Sequence, residues 1–308
     1  MQFSLMTEPQ LGGTYDELLA AALWTEANGL ASFARSDHYY SSRTPTPAAT
    51  DAFTTLGGLA RDTTDLRLCV LVSPITFRHP AVIAKAAATI DEMSGGRLDL
   101  GVGTGWMELE HSAFGLDFPP RAERFDRLVE TLEYLETAFA DGPGTFSGRY
   151  YRFDGNALPK PTGTRIVVGG SGATRTPTLA GIHAHEYNSF IDTPGNAGSR
   201  IEVMRRSAER AGRDPDSVTV SMMGSVFAAP DEASYRELLD QEATKRDLTP
   251  TEFEARMIAE GTPIGTPDRV GETLAALSSV GVSRIYLQWL DLTDLTGLDQ
   301  LWAALQAV

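Results

Sequence analysis

A single cysteine in 308 residues, Cys69, excludes an internal disulfide and any multi-cysteine metal site. No apolar run approaches the length of a membrane span, so the bilayer is not an expected partner. The first residues, Met-Gln-Phe-Ser-Leu-Met-Thr-Glu-Pro, have neither the basic segment nor the apolar stretch of a signal peptide, and a cytoplasmic location is expected. Positive charge is also in deficit. Lys and Arg number 26 against 41 Asp and Glu, a net charge of −15, which argues against nucleic acid as a ligand. Salt screens that field beyond about 8–10 Å, so a local cradle of amides or arginines still admits a phosphate-bearing molecule. No Gly-x-Ser-x-Gly elbow is present, which removes support for Ser-His-Asp catalysis.

What is present centres on Ser94–Trp106, Ser-Gly-Gly-Arg-Leu-Asp-Leu-Gly-Val-Gly-Thr-Gly-Trp. This reads as a turn, a buried strand over residues 97–103, and a lip of Gly103, Thr104 and Gly105 before Trp106. Glycine at 101, 103 and 105 leaves one strand face bare. Either a flat ligand approaches the backbone there, or the interior is so tight that only Gly fits. A dinucleotide fingerprint is disfavoured, because Trp106 stands where the third Gly of G-x-G-x-x-G belongs.

Eight strands alternate with helices along the chain: residues 3–6, 30–35, 66–72, 97–103, 165–168, 186–190, 218–226 and 283–289. Helices begin at recognisable signals, among them the Thr14/Glu17 capping box, Asp51, and Pro80 in a first turn. Residues 107–120 read as a loop, and residues 145–153 as an inserted surface hairpin. The fold expected is an eight-fold β/α (TIM) barrel forming one domain over residues 1–308, with a hydrophobic content of 42% ample for its core. Ligand sites of such barrels lie at the C-terminal strand ends. Asp37-His38, Thr104-Gly105-Trp106 and Gly169-Gly170-Ser171-Gly172 all fall there, and the polar loop 39–50 is long enough to cover them. The last glycine run follows a strand and leads into a helix, so its amides suit an anion.

Strand, Arg78-His79-Pro80 helix, Ser-Gly-Gly-Arg, strand and Gly-Thr-Gly-Trp, with Ser36-Asp37-His38 upstream and Gly169–Gly172 downstream, resembles the luciferase-like flavin and deazaflavin oxidoreductases, most of all the branch using coenzyme F-420. The resemblance runs from Phe3 to the final strand. It implies F-420 as cofactor, with FMN the alternative, and His38 as the catalytic residue beside the ring. It further implies cofactor contacts from Asp37, His38, Cys69, Val70, Thr104, Gly105, Trp106, Gly169, Gly170, Ser171 and Gly172. A non-prolyl cis peptide behind the ring is implied in the third strand, placed by alignment at Cys69–Val70 or an adjacent bond. Trp106 departs from the sugar-phosphate dehydrogenases of the family, which carry Glu there. Their activity therefore does not transfer, and this Trp is free to stack on a substrate or wall the pocket.

Hydride transfer between F-420 and a small organic substrate is the resulting expectation, with an FMN-dependent monooxygenase as alternative. A metal-dependent barrel hydrolase is disfavoured, because His183-x-His185 at the start of the sixth strand has no apparent third ligand; no metal is expected. A catalytically idle cofactor binder is the remaining class. The partner expected is a small molecule, with room left for a homodimer.

Overall fold

The alternating pattern closes into a barrel. The computed structural model describes residues 1–42 and 47–308, so residues 43–46 of the expected covering loop lie outside the described residues. The barrel strands are β1 (Gln2–Thr7), β2 (Ser32–Arg35), β3 (Arg67–Pro74), β4 (Leu98–Gly103), β5 (Arg165–Gly169), β6 (Glu186–Phe190), β7 (Thr219–Gly224) and β8 (Arg284–Trp289). Each pairs in parallel with the next, and β8 returns to β1 with Gln2 opposite Arg284 and Thr7 opposite Trp289. The helices are α1 (Tyr15–Ala27), α2 (Ala52–Asp62), α3 (Pro80–Ser94), α4 (Glu108–Phe114), α5 (Arg121–Phe139), α6 (Arg175–His183), α7 (Pro194–Arg210), α8 (Glu232–Thr244), α9 (Pro250–Ala259), α10 (Pro267–Ser279) and α11 (Leu295–Leu305). None among the described residues is long and apolar enough to cross a membrane.

Local chemistry explains the helix starts. Thr14 and Glu17 form the expected reciprocal box, and the Asp51 side chain accepts from the Thr54 amide at 2.8 Å. The expected hairpin pairs Gly144–Ser147 with Arg152–Gly155. Helix α6 begins at Arg175, with residues 170–174 forming a loop between it and Gly169 at the end of β5. Three features differ from expectation. Residues 107–120 hold helix α4, closed by Gly115 in the left-handed conformation. Helix α7, expected over Ser199–Ala211, starts at Pro194, because Thr193 caps it. The non-prolyl cis peptide lies at Leu71–Val72, two bonds beyond Cys69–Val70, where the β3–β4 register shifts between Val70 and Ser73. Between β7 and β8, α8 and α9 pack on a short strand pair, Phe227–Ala228 with Ile264–Gly265. Their own apolar cluster includes Tyr235, Leu239, Phe253 and Met257.

Strand alternation sorts the barrel interior into layers. At the N-terminal end Asp99 receives Arg67 (2.6 Å) and Arg165 (2.9 Å), and Glu186 receives Arg284 (2.7 Å). Above this charged plug lies an apolar layer of Met6, Ala34, Cys69, Leu71, Val167, Met223 and Tyr286. Val72 packs on that layer from above and fills the room left by three inward glycines. A Cβ at Gly101, Gly103 or Gly169 would stand 2.8, 2.8 or 2.6 Å from a Val72 methyl group. The bare glycine face is thus occupied by protein, and the tight-interior reading holds for Gly101 and Gly103.

This packing predicts a sharp stability effect. A Cβ at Gly101 would also meet the Val70 carbonyl oxygen at 2.1 Å, and that backbone atom is held in the neighbouring strand. Gly101→Ala is expected to cost about 1–3 kcal/mol, read as a lower urea midpoint. Gly195→Ala, with nothing within 4 Å of its Cβ position in α7, should be neutral or slightly stabilising. An unchanged midpoint for Gly101→Ala contradicts the packing described.

Candidate active site

The C-terminal barrel end is built around a buried guanidinium. Arg78 pairs with Asp37 and with Asp51, joining the loop after β2 to the start of α2. Ser73 donates to Asp37 at 2.7 Å, and the Arg78 guanidinium also stands over the rings of Tyr39 (5.3 Å) and Phe53 (4.7 Å). Beneath it Arg35 is fully buried and donates to Ser36 O, Thr50 and Thr55; burial pulls its pKa down to about 10. Asp37 is only 1% exposed and its oxygens face these partners. It therefore shapes the turn that presents His38 and has no surface left for a cofactor.

His38 emerges from that turn, partly exposed. Its Nδ1–H donates to the Glu110 carboxylate at 2.9 and 3.1 Å, and the Tyr39 amide donates to the same group at 3.2 Å. Glu110 is the third residue of α4 and is almost wholly buried. Burial acts to lower the His38 pKa, but the hydrogen bond and charge of Glu110, with Glu8 and Asp37 further off, outweigh it and hold the imidazole above its ordinary value. Nε2 makes no protein hydrogen bond among the described residues. The α4 helix is itself anchored by His111, whose Nδ1–H donates to Met107 O at 2.7 Å while Thr76 donates to its Nε2 at 2.7 Å.

Trp106 stands edge-on to His38 at 5.7 Å between ring centroids and is 70% exposed. Thr104 and Gly105 are partly exposed. Gly105 has φ +73°, the left-handed turn that lets the lip bend away, and its carbonyl accepts from Arg124 at 3.1 Å. Cys69 and Val70 are fully buried, Cys69 in the inner apolar layer and Val70 against the surrounding helices. Neither reaches the strand ends; the third-strand residue that does is Val72.

Across the mouth lies the glycine loop. The Gly170 amide is spent on Asn188 O at 2.9 Å, so it is not a free donor as expected. The amides of Ser171, Gly172 and Ala173 have no protein acceptor among the described residues. Arg121 Nη2 lies 3.8 Å from the Cβ position of Gly172, and Arg121 and Arg175 both stand over the Phe125 ring, at 5.7 and 5.2 Å. Unpaired amides flanked by two exposed guanidiniums fit the phosphate of a flavin-type cofactor.

The His183-x-His185 pair sits at the opposite end. His183 closes α6 and donates to Glu136 at 2.8 Å, while His185 accepts from the Ile166 amide at 3.0 Å in the loop before β6. The two are thus not strand neighbours on one face. They line a cleft of about 380 Å³ with Arg213, whose guanidinium is already committed to Gly181 O and Ala184 O. The groups that sequence reasoning missed are Glu110, Val72 and Arg121. A Glu in a helix first turn is ordinarily a solvated residue, and only the depth of α4 gives this one its role.

Residues 1–284 match the family model described as luciferase-like monooxygenase. F420-dependent glucose-6-phosphate dehydrogenase of Nakamurella multipartita is 35% identical over 218 residues, 67% of this chain and 62% of that protein. Pyrimidine monooxygenase RutA of Caulobacter segnis is 30% identical over 206 residues, 63% of this chain and 57% of that protein. The chain thus spans less than two thirds of the length of these relatives. In fold, an F420-dependent secondary alcohol dehydrogenase in complex with an F420-acetone adduct superposes with a TM-score of 0.79 at 20% identity, covering 100% of this chain and 98% of that one. With a match that runs from the first strand through His38, the glycine lip and the glycine loop to Arg284 at the start of the last strand, the chain belongs to the luciferase-like monooxygenase family.

Proposed function

We propose that this chain is an oxidoreductase that binds coenzyme F-420 at the C-terminal end of the barrel and passes hydride between it and an organic substrate. One observation carries the reading. Amides without an acceptor, beside Arg121 and Arg175 at the end of β5, share the barrel mouth with a His38–Glu110 pair whose Nε2 has no hydrogen-bond partner among the described residues. The first arrangement suits a phosphate, the second a proton transfer at the ring edge. A bound deazaflavin supplies the ring carbon that takes up or releases hydride. Ser171, Gly172 and Ala173 would hold its phosphate, and Val72 would support its ring. Glu110 fixes the tautomer and orientation of His38, and His38 holds or releases a proton at Nε2.

An FMN-dependent monooxygenase is the second reading, supported by the relative named as a pyrimidine monooxygenase. Two things favour the deazaflavin. A relative of higher identity is named as F420-dependent. The described rim is also open, with Trp106 70% and Phe190 56% exposed. Oxygen activation on a flavin demands exclusion of water, whereas hydride exchange with a carbon tolerates it better.

Two predictions follow from these groups. Because folded His38 titrates above its ordinary value near 6.5, its pair with Glu110 contributes stability fully below about that pH. The contribution is lost as pH rises through the folded value. Glu110→Gln is expected to lower the His38 titration seen by NMR and to cost stability at about pH 5–6 that shrinks by about pH 8–9. A cost that grows with pH contradicts the pairing. For the cofactor, equilibrium titration should show F-420 binding at least about tenfold more tightly than FMN, about 1.4 kcal/mol. Tighter FMN binding selects the monooxygenase reading.

A further inference from the structure

The site is electrically lopsided, and the lopsidedness bears on the substrate. Around His38 stand the carboxylates of Glu110, Glu8 and Asp37, with Asp51 beyond them on Arg78. The cations at this end are Arg35, Arg78, Arg124 under the Gly105 lip, and His38 itself. Arg35 is fully buried, with its donors on Thr50, Thr55 and Ser36, and Arg78 is clasped between Asp37 and Asp51. Glu8 holds its place by accepting from Gln288 at 2.9 Å and from Gln10 at 2.6 Å. Arg124 is buried too, with Nη1 on Gly105 O and its plane over the Phe118 ring, so no guanidinium described beside His38 presents an exposed face to a substrate anion. The cationic groups that are exposed, Arg121 and Arg175, flank the glycine loop at the other end.

What the His38 end does expose is apolar. Trp106 at the end of β4 is 70% exposed and in contact with His38, and Leu290 beyond β8 is also exposed. Phe190 at the end of β6, whose amide donates to Ser171 Oγ at 3.2 Å, carries the apolar rim on toward the glycine loop. Val72 lies between them as a half-buried floor. Phe190 shares its strand face with Glu186 and Asn188, by alternation the face toward the barrel axis.

Resting on the oxidoreductase reading above, we propose that the substrate is an uncharged molecule with an apolar face, seated against Trp106 beside His38, and that phosphorylated or carboxylated substrates are rejected. The acidic surround gives the rejection, since an anion placed there would lose its water among carboxylates and meet one cation in reach, His38, whose charge Glu110 already offsets. Trp106 gives the attraction through a large rigid surface.

The test compares acetophenone with 4-acetylbenzoate, the same ring and carbonyl with a carboxylate added, by calorimetry and saturation-transfer NMR on protein saturated with whichever of F-420 or FMN binds. Acetophenone is expected to bind at least about tenfold more tightly. Trp106→Ala should weaken acetophenone by a similar factor with a smaller change in cofactor affinity, and Glu8→Gln should narrow the gap between the two ligands. Equal or tighter binding of 4-acetylbenzoate, saturable binding of glucose 6-phosphate, or no acetophenone binding up to about 10 mM overturns the proposal. Should neither cofactor bind, the oxidoreductase reading fails on its own, and the same ligand pair on the cofactor-free protein still reads the charge preference beside His38.

Discussion

The candidate site stands on one packing constraint, the insertion of Val72 into the space left by Gly101, Gly103 and Gly169. These glycines come from β4 and β5, and the valine comes from β3. Any Cβ at the three positions would collide with Val72 at under 3 Å. The side chain therefore caps the apolar layer of Met6, Leu71, Val167 and Tyr286 and leaves a smooth apolar surface facing the mouth. Every other feature of the site is arranged around that floor: His38 and Trp106 on one side, the glycine loop on the other.

An acidic protein can still bind an anion because the relevant field is local. A charge of −15 is spread over the surface and screened, whereas an anion at the Ser171–Ala173 amides would lie within hydrogen-bond range of its donors. The same locality separates the two ends of the mouth. Carboxylates around His38 raise its pKa, and two of them take up Arg78, while the Ser171–Ala173 amides have no acceptor among the described residues. One end of the site favours negative charge and the other disfavours it.

Much of the barrel was legible because each strand is a short apolar run bounded by Gly, Pro or polar turns, and each main helix has a cap or a first-turn proline. Helix α4 was not, since seven residues with two acidic side chains carry too little periodicity to stand out from a loop. Glu110 was hidden with it. The glycines at 101 and 103 were visible, but what fills their space comes from another strand and depends on the local register shift in β3. Sequence spacing carries no sign of that shift, and so points to Cys69 and Val70 rather than to Val72. The His183-x-His185 spacing reads as alternation along a strand, whereas the chain is ending a helix there. Asp37 was found as a residue but not in its role, because Arg78 reaches it from 41 positions away.

The central claim is that one molecule spans the mouth, with its phosphate on the glycine loop and its ring above Val72 beside His38. A crystal structure of the protein with F-420 tests it most directly. The account predicts phosphate oxygens within about 3 Å of the Ser171 and Gly172 amides, with the ring edge at hydrogen-bond range of His38 Nε2. A phosphate bound elsewhere, such as the N-terminal cleft beside His183 and His185, or a ring turned away from His38, would contradict it.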